Sequence, residues 1–458
     1  MENQTFIYIF LSLVSLTTGL FYFKNKGKSL SIFLFISLLI PTSDQFMFLT
    51  SFKGVYFYDY YFLTLIIYYV LNLNYLQLKE AIYKYKIYII LILSFLLYQI
   101  SSIAVNSIPI DKYLLKDFRP FILITSLLIF TDLLKNNILK IDKILNILGY
   151  VFIFKLIFFI ILFCINPFED PFYQKYLYRY RDGTTIVAAL FLIVSLFKKE
   201  VLLKIISNNK LNTLVLLALV LLLISNLRIL LPALLFSYFF IHRTSTQKFI
   251  RKIILSLIFI GSFIGYTYII PKIQFDLHGK ERIILRIKNL EHRKLSKDRI
   301  NKEKAILETG YVPIRYNRLF SKFQYQLEKR FEPALNDLYN MSKYEFLLGK
   351  GMGTTFKIPS FNYRGLDSRL NKIDSSYITL YIKYGLLGLV LMILLLIKII
   401  SNNISERELK VSIISFYIIY ISVNSIFYQP GTIIHLMFLN ILMCSIYNAK
   451  LSITKKLK

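Results

Sequence analysis

The sequence predicts an all-α polytopic membrane protein of about 12–13 transmembrane helices, with one large, mainly helical loop on its outer, periplasmic side. Three observations predict it. Of 458 residues, 56% are hydrophobic and only 18% are charged, which leaves too little polar surface for a soluble globule. Apolar runs long enough to cross a bilayer recur along the chain. Between Pro271 and Ser375 that pattern stops for about a hundred residues, far longer than an ordinary connection. The chain therefore divides into spans one to ten (1–270), a large loop (271–375) and spans eleven to thirteen (376–458).

The apolar runs fall at Thr5–Phe23, Ser29–Phe48, Tyr60–Leu78, Ile87–Val105, Phe118–Leu134 and Ile144–Ile165. Four more follow at Thr184–Phe197, Leu211–Leu227, Ile229–Ile241 and Ile253–Ile270. After the loop come Ser376–Ile397, Val411–Phe427 and Ile433–Tyr447. The first run lacks a basic leading segment and a small-residue cleavage site, so it reads as a retained span.

Charge sets the orientation. The formal net charge is +30, and most lysines sit in short connections, where the positive-inside rule accounts for them without a nucleic-acid partner. Clusters at Lys24–Lys28, Lys79–Lys86, Lys135–Lys143, Lys198–Lys204, Arg243–Lys252, Lys398–Lys410 and Lys455–Lys458 all fall on one face if the N-terminus is outside and the C-terminus inside. The long loop then lies outside. It carries 22 Lys/Arg against 12 Asp/Glu, a net of +10, and long loops are exempt from the orientation rule. That excess suggests an anionic ligand or the lipid surface. Within the loop, Glu281–Thr309 reads as a helix lying at the membrane surface or packed on its own domain.

No metal site is expected. The four histidines (His242, His278, His292, His435) show no i, i+4 pair, and Cys164 and Cys444 lie inside apolar runs. The segment GKGMGTT (Gly349–Thr355) lacks the phosphate-loop spacing, because Lys350 stands between glycines rather than after them. A glycine turn with positive φ ahead of a span is the preferred reading, with an oxyanion cradle of backbone N–H groups as the alternative. Gly385 and Gly388 mark close helix packing.

Arginines at the ends of apolar runs point to chemistry. Arg181 begins the seventh span, and Arg228 interrupts apolar sequence in ISNLRILLPALL. Charge at such depth is costly unless it pairs or faces water, and a guanidinium fork suits phosphate oxygens. Asp374 opens the eleventh span. It reads as that helix's N-cap and also as a general base for a sugar hydroxyl.

These segments resemble the O-antigen polymerase and O-antigen ligase superfamily of bacterial envelope glycosyltransferases. The likeness rests on Arg330 leading into RFEPALNDLYNMSKYEFLLGKGMGTTF, on DSSYITLYIKYGLLG from Asp374, on SNLRILLPA from Ser225 and on RDGTTIVAALFLI from Arg181. Ligases of that family carry a histidine pair where this chain has Asp374–Ser375, so the polymerase branch is the closer likeness. The resemblance implies a multi-span protein of the bacterial inner membrane and a cofactor-free, metal-independent transfer at the periplasmic face. Glycan would move from undecaprenyl diphosphate onto a lipid-linked O-antigen or capsular repeat unit. In that scheme Asp374 and Arg228 are catalytic. Arg181, Arg330, Arg315, Arg318, Gly351, Gly353 and Tyr377 bind substrate. Partners are the lipid-linked oligosaccharide, membrane lipid and a chain-length regulator, with no nucleic acid. The alternatives are a ligase acting on lipid A core and, in another class, a flippase or transporter of lipid-linked oligosaccharide.

Overall fold

The computed structural model describes residues 2–41, 50–52, 55–72, 75–105, 112–133, 139–165, 182–225, 230–239, 334–357, 369–370, 372–373, 375–402, 404–422, 426–428 and 431–456, with scattered positions between 273 and 331. Its elements are almost all helical. In order they are α1 (Glu2–Lys24), α2 (Lys26–Leu39), β1 (Ser51–Phe52), β2 (Val55–Tyr56), α3 (Asp59–Asn72), α4 (Tyr75–Val105), α5 (Lys112–Leu133) and α6 (Ile141–Ile165). Then come α7 (Gly183–Leu203), α8 (Asn208–Ser225), α9 (Leu230–Phe239), α10 (Lys343–Leu348), β3 (Phe356–Lys357), β4 (Arg369–Leu370), α11 (Ser376–Ser401), α12 (Arg407–Ser422) and α13 (Thr432–Lys456). A 3-10 turn, Ile426–Tyr428, precedes α13.

Among the described residues four helices are long and apolar enough to cross a membrane: Thr5–Lys24, Tyr83–Ser101, Ile141–Leu162 and Ser376–Ser401. Asn208–Ile224 and Ile434–Ala449 are shorter apolar helices. The exterior of these helices is oily. Phe6 and Phe10 on α1, Leu93 and Leu97 on α4, and Phe154 and Ile157 on α6 are exposed. Lys155 and Lys383, in contrast, are buried. Apolar outside and charge inside inverts the ordinary soluble pattern and suits a hydrocarbon solvent.

Two departures from the sequence reading stand out. The expected third span, Tyr60–Leu78, stops at Asn72, and the next helix begins at Tyr75; Asn72, Asn74 and a lysine-bearing stretch follow the last apolar turn. Among the described residues two short antiparallel strand pairs also occur, with Ser51 opposite Tyr56 and Phe356 opposite Leu370. Two-residue strands are too short for an alternating pattern to announce them. The tenth expected span, Ile253–Ile270, lies outside the described residues. In the large loop the described positions of 281–308 are helical. Lys304 pairs with Glu291 at 3.3 Å, although thirteen residues of straight helix would hold them roughly 20 Å apart.

Contacts between helix ends fix the arrangement. At one end, Tyr8 meets Tyr60, Arg119 meets Asp59, Lys383 meets Asp117, and the Thr184 hydroxyl donates to the Leu38 carbonyl. At the other, Lys198 pairs with Glu406, and the Asn402 amide donates to the Tyr85 hydroxyl. The starts of α1, α3, α5, α7 and α11 thus share one end, as an up-and-down bundle requires. The short-loop lysine clusters within the described part lie toward the opposite end.

Candidate functional site

The site is built where α5 and α11 begin. Asp117 lies early in α5, and both it and Lys383 of α11 are wholly buried. The Lys383 Nζ donates to Asp117 Oδ1 and Oδ2 at 2.7 Å each. A lone charge in such a place is untenable, and a pair survives only when further hydrogen bonds occupy the remaining lone pairs. The glycine turn supplies one and is itself tied to a neighbouring helix. Gly353 N–H donates to Asp117 Oδ2 at 2.8 Å, and Met352 N–H donates to the Gln99 side-chain oxygen of α4 at 3.0 Å. Below, the Tyr384 hydroxyl donates to the Asp117 carbonyl at 3.1 Å and meets the Tyr428 hydroxyl at 2.9 Å. The rings of Phe95 and Phe121 stand edge-on to Tyr384.

A break in α11 makes this docking feasible. Gly385 has φ +66° and ψ −170° inside the helix, so the i to i−4 ladder is interrupted and the carbonyls just before it are freed. Lys350 N–H takes the Ile382 carbonyl at 2.8 Å, and Gly351 N–H takes that of Lys383 at 2.9 Å. The two backbones touch. A Cβ on Gly349, which has φ +81°, would collide with the Lys383 carbonyl, and one on Gly385 would collide with Leu347. Only glycine satisfies both the dihedral and the approach. The turn reading of GKGMG is therefore the one the geometry favours. One of its N–H groups, that of Gly353, does meet an oxyanion, and that oxyanion is the protein's own Asp117 carboxylate.

Two more charge sites occupy the same end. Arg119 reaches Asp59 Oδ1 at 3.2 Å and the Tyr58 hydroxyl at 3.3 Å, with its guanidinium 3.9 Å from the Tyr56 ring centre. Asp59 also accepts the Tyr56 N–H at 2.8 Å, so the β1–β2 hairpin is tied to α5. Lys155, midway along α6, pairs with Asp182, the N-cap of α7.

Of the sequence-predicted site residues, three lie within the described structure. Gly351 and Gly353 spend their N–H groups inside the protein, as above. Tyr377 is part-exposed on α11 and donates to the Ile418 carbonyl of α12 at 3.3 Å. Asp374, Arg228, Arg181, Arg330, Arg315 and Arg318 lie outside the described residues. The N-cap expected of Asp374 belongs to Ser375, whose hydroxyl accepts from Ile378 N–H. Serine at that position caps as well as aspartate, and sequence could not choose between neighbours.

Sequence reasoning missed Asp59, Asp117, Arg119, Lys155, Asp182 and Lys383. A usable signal was present: Lys155 in FIFKLIFF and Lys383 in ITLYIKYGLL are isolated charges within apolar runs, where a paired partner is the default expectation. Among the described residues no three His, Cys, Asp or Glu side chains gather to hold a metal. The described part is thus a positioning frame. Its buried charged groups, Asp117, Lys155, Asp182, Lys198 and Lys383, are already paired.

The fold and the frame define an all-α protein with an apolar exterior and a charged, hydrogen-bonded interior at one end. Residues 310–456 match a family of unknown function (DUF6369). That match takes in the glycine turn, Asp374, Lys383 and Tyr428, whereas Gln99 and Asp117 lie before it. No curated protein and no solved structure matches the chain.

Proposed function

We propose that this chain is a multi-pass glycosyltransferase of the bacterial inner membrane, with its N-terminus and large loop periplasmic and its C-terminus cytoplasmic. It polymerises O-antigen or capsular repeat units, moving glycan from undecaprenyl diphosphate to a hydroxyl of a lipid-linked repeat unit. One observation carries the reading: the glycine turn closing the large loop is bound by α4, α5 and α11 at the bundle end where α7 and α11 start. Arg181 and Asp374 adjoin those two starts in the chain. A lid so anchored, at the level where lipid diphosphate meets water, suits a reaction whose energy lies in the lipid–diphosphate bond. Arginines offset charge on the departing diphosphate, and Asp374 orients or deprotonates the acceptor hydroxyl. The Asp117–Lys383 pair and the glycine turn hold the lid's inner edge.

The test is surface-polymer length in cells expressing Arg228→Ala or Asp374→Asn at matched levels, followed by reconstitution with a lipid-diphosphate oligosaccharide. Loss of polymer and of released undecaprenyl diphosphate is expected. Normal ladders from both variants would end the assignment. A transporter of the same lipid-linked sugars is the second reading, favoured by the buried Asp117–Lys383 and Lys155–Asp182 pairs, since intramembrane ion pairs often line transport paths. It predicts translocated but unextended oligosaccharide in the reconstituted system.

A further inference from the structure

The segment just before the glycine turn shows an unusual division of its faces. Residues 334–339 are helical, and a capping box at Ser342 and Glu345 then starts α10. Ala334 packs with Phe356, Ile373 and Ile382, and Leu338 and Met341 lean on the same small core. Away from that core Tyr339 is 85% exposed, Tyr344 81%, Phe346 49% and Leu347 47%. Large side chains at that exposure need a cover, or they leave a contiguous apolar patch in water.

The place of this patch identifies the cover. Leu347 and Leu348 press their backbone on Gly385, and the Phe346 ring stands edge-on to Tyr381 of α11. Further along, the same helix exposes Leu387, Val390 and Leu394, and it is long and apolar enough to cross a membrane. The contact falls at Ile382–Gly385, level with the buried Asp117–Lys383 pair. Tyrosines with wet hydroxyls and buried rings belong at the boundary between headgroups and acyl chains. The loop's net charge of +10 complements an anionic headgroup layer.

We infer that the 334–348 hairpin seats on the outer membrane-water boundary of the lipid bilayer, Tyr339 and Tyr344 at headgroup level and Phe346 and Leu347 against the first acyl carbons. This rests on the membrane-spanning reading of α11. The lid is thereby fixed at lipid depth, where a polyprenyl-linked substrate lies.

The chain has no tryptophan, so one introduced indole reports alone. Tyr344→Trp and, in a separate protein, Leu387→Trp are compared in proteoliposomes of phosphatidylethanolamine and phosphatidylglycerol, with and without acyl chains brominated near the headgroup. Tyr344 is too exposed for the substitution to disturb folding. Expected is a loss of Tyr344→Trp emission in brominated lipid, with a blue-shifted maximum and little quenching by iodide. Quenching of Leu387→Trp alone, with Tyr344→Trp emitting as in water, overturns the inference and leaves the spanning reading intact. Blue-shifted emission that brominated lipid does not quench means cover by protein, such as a second copy, and overturns it equally. Absence of lipid quenching at both positions overturns the spanning reading as well.

Discussion

Asp117 and Lys383 are buried without access to water, and the energetic weight of such a pair lies in what happens when one partner leaves. A single Asp117→Asn or Lys383→Gln strands a charge and is expected to cost about 3–5 kcal/mol. The double variant removes both charges, while the amide oxygen introduced by Asp117→Asn still accepts Gly353 N–H. Its stability should lie well above the sum of the two losses. Thermal unfolding of the four purified proteins in detergent closes this cycle, and additive losses would show that the two side chains do not interact. Arg119 makes a different demand. Its planar fork serves Asp59 and Tyr58 while its face lies on Tyr56, so Arg119→Lys keeps charge and loses geometry. A loss of roughly 0.5–2 kcal/mol in the same assay is expected, and an unchanged midpoint would deny the stacking any weight. At this scale the sequence was legible only in outline. Charges in apolar runs announced that partners exist, but Asp117 and Lys383 are 266 positions apart and nothing local says which partner each takes.

Helices were far easier to read than the joints between them. Hydrophobic length alone placed α1, α6 and α11 within a few residues, because the solvent for which those runs are suited leaves no other backbone solution. Joints depend on single positions. Gly385 breaks α11 to free two carbonyls for the turn, a role its packing motif with Gly388 only hinted at. Gly385→Ala combines a forbidden dihedral with a clash on Leu347, and an L-residue forced there costs of order 1–3 kcal/mol. Limited proteolysis should cut the 343–357 region of that variant faster than wild type, whereas an equal rate would show the turn docks without the break. The start of α10 offers a second measurement. Ser342 accepts Glu345 N–H and its own N–H donates to the Glu345 carboxylate, and that backbone bond holds the carboxyl below the ordinary range. A depressed folded pKa gives stability that is present above the unfolded value and fades as pH falls through the folded one. Deuterium uptake of 343–348 should rise as that stability fades, and Ser342→Ala should raise it at neutral pH by about 1 kcal/mol of lost protection.

At the scale of the whole molecule, alternation is the property that joins sequence to architecture. Contacts bring the starts of α1, α3, α5, α7 and α11 to one end, and the lysines at Lys24–Lys28, Lys198–Lys204 and Lys398–Lys410 fall toward the other. Fold and charge were read independently, yet both divide the chain the same way. The positive-inside rule then predicts which end meets the cytoplasm. Cys164 and Cys444 are the only native thiols, so Cys164→Ala with Cys444→Ala gives a blank background. Into it, Glu291→Cys marks the large loop and Lys199→Cys marks the lysine-rich end; both positions are exposed. In intact spheroplasts a membrane-impermeant maleimide should label Glu291→Cys and spare Lys199→Cys until the membrane is opened. The reverse pattern would put the large loop in the cytoplasm, where no lipid-linked polymer is built by the reaction proposed, and would remove the glycosyltransferase reading together with the orientation. Labelling of both in sealed cells would mean that Lys199 and Glu291 share a face, and would overturn the three crossings that the sequence predicts between them.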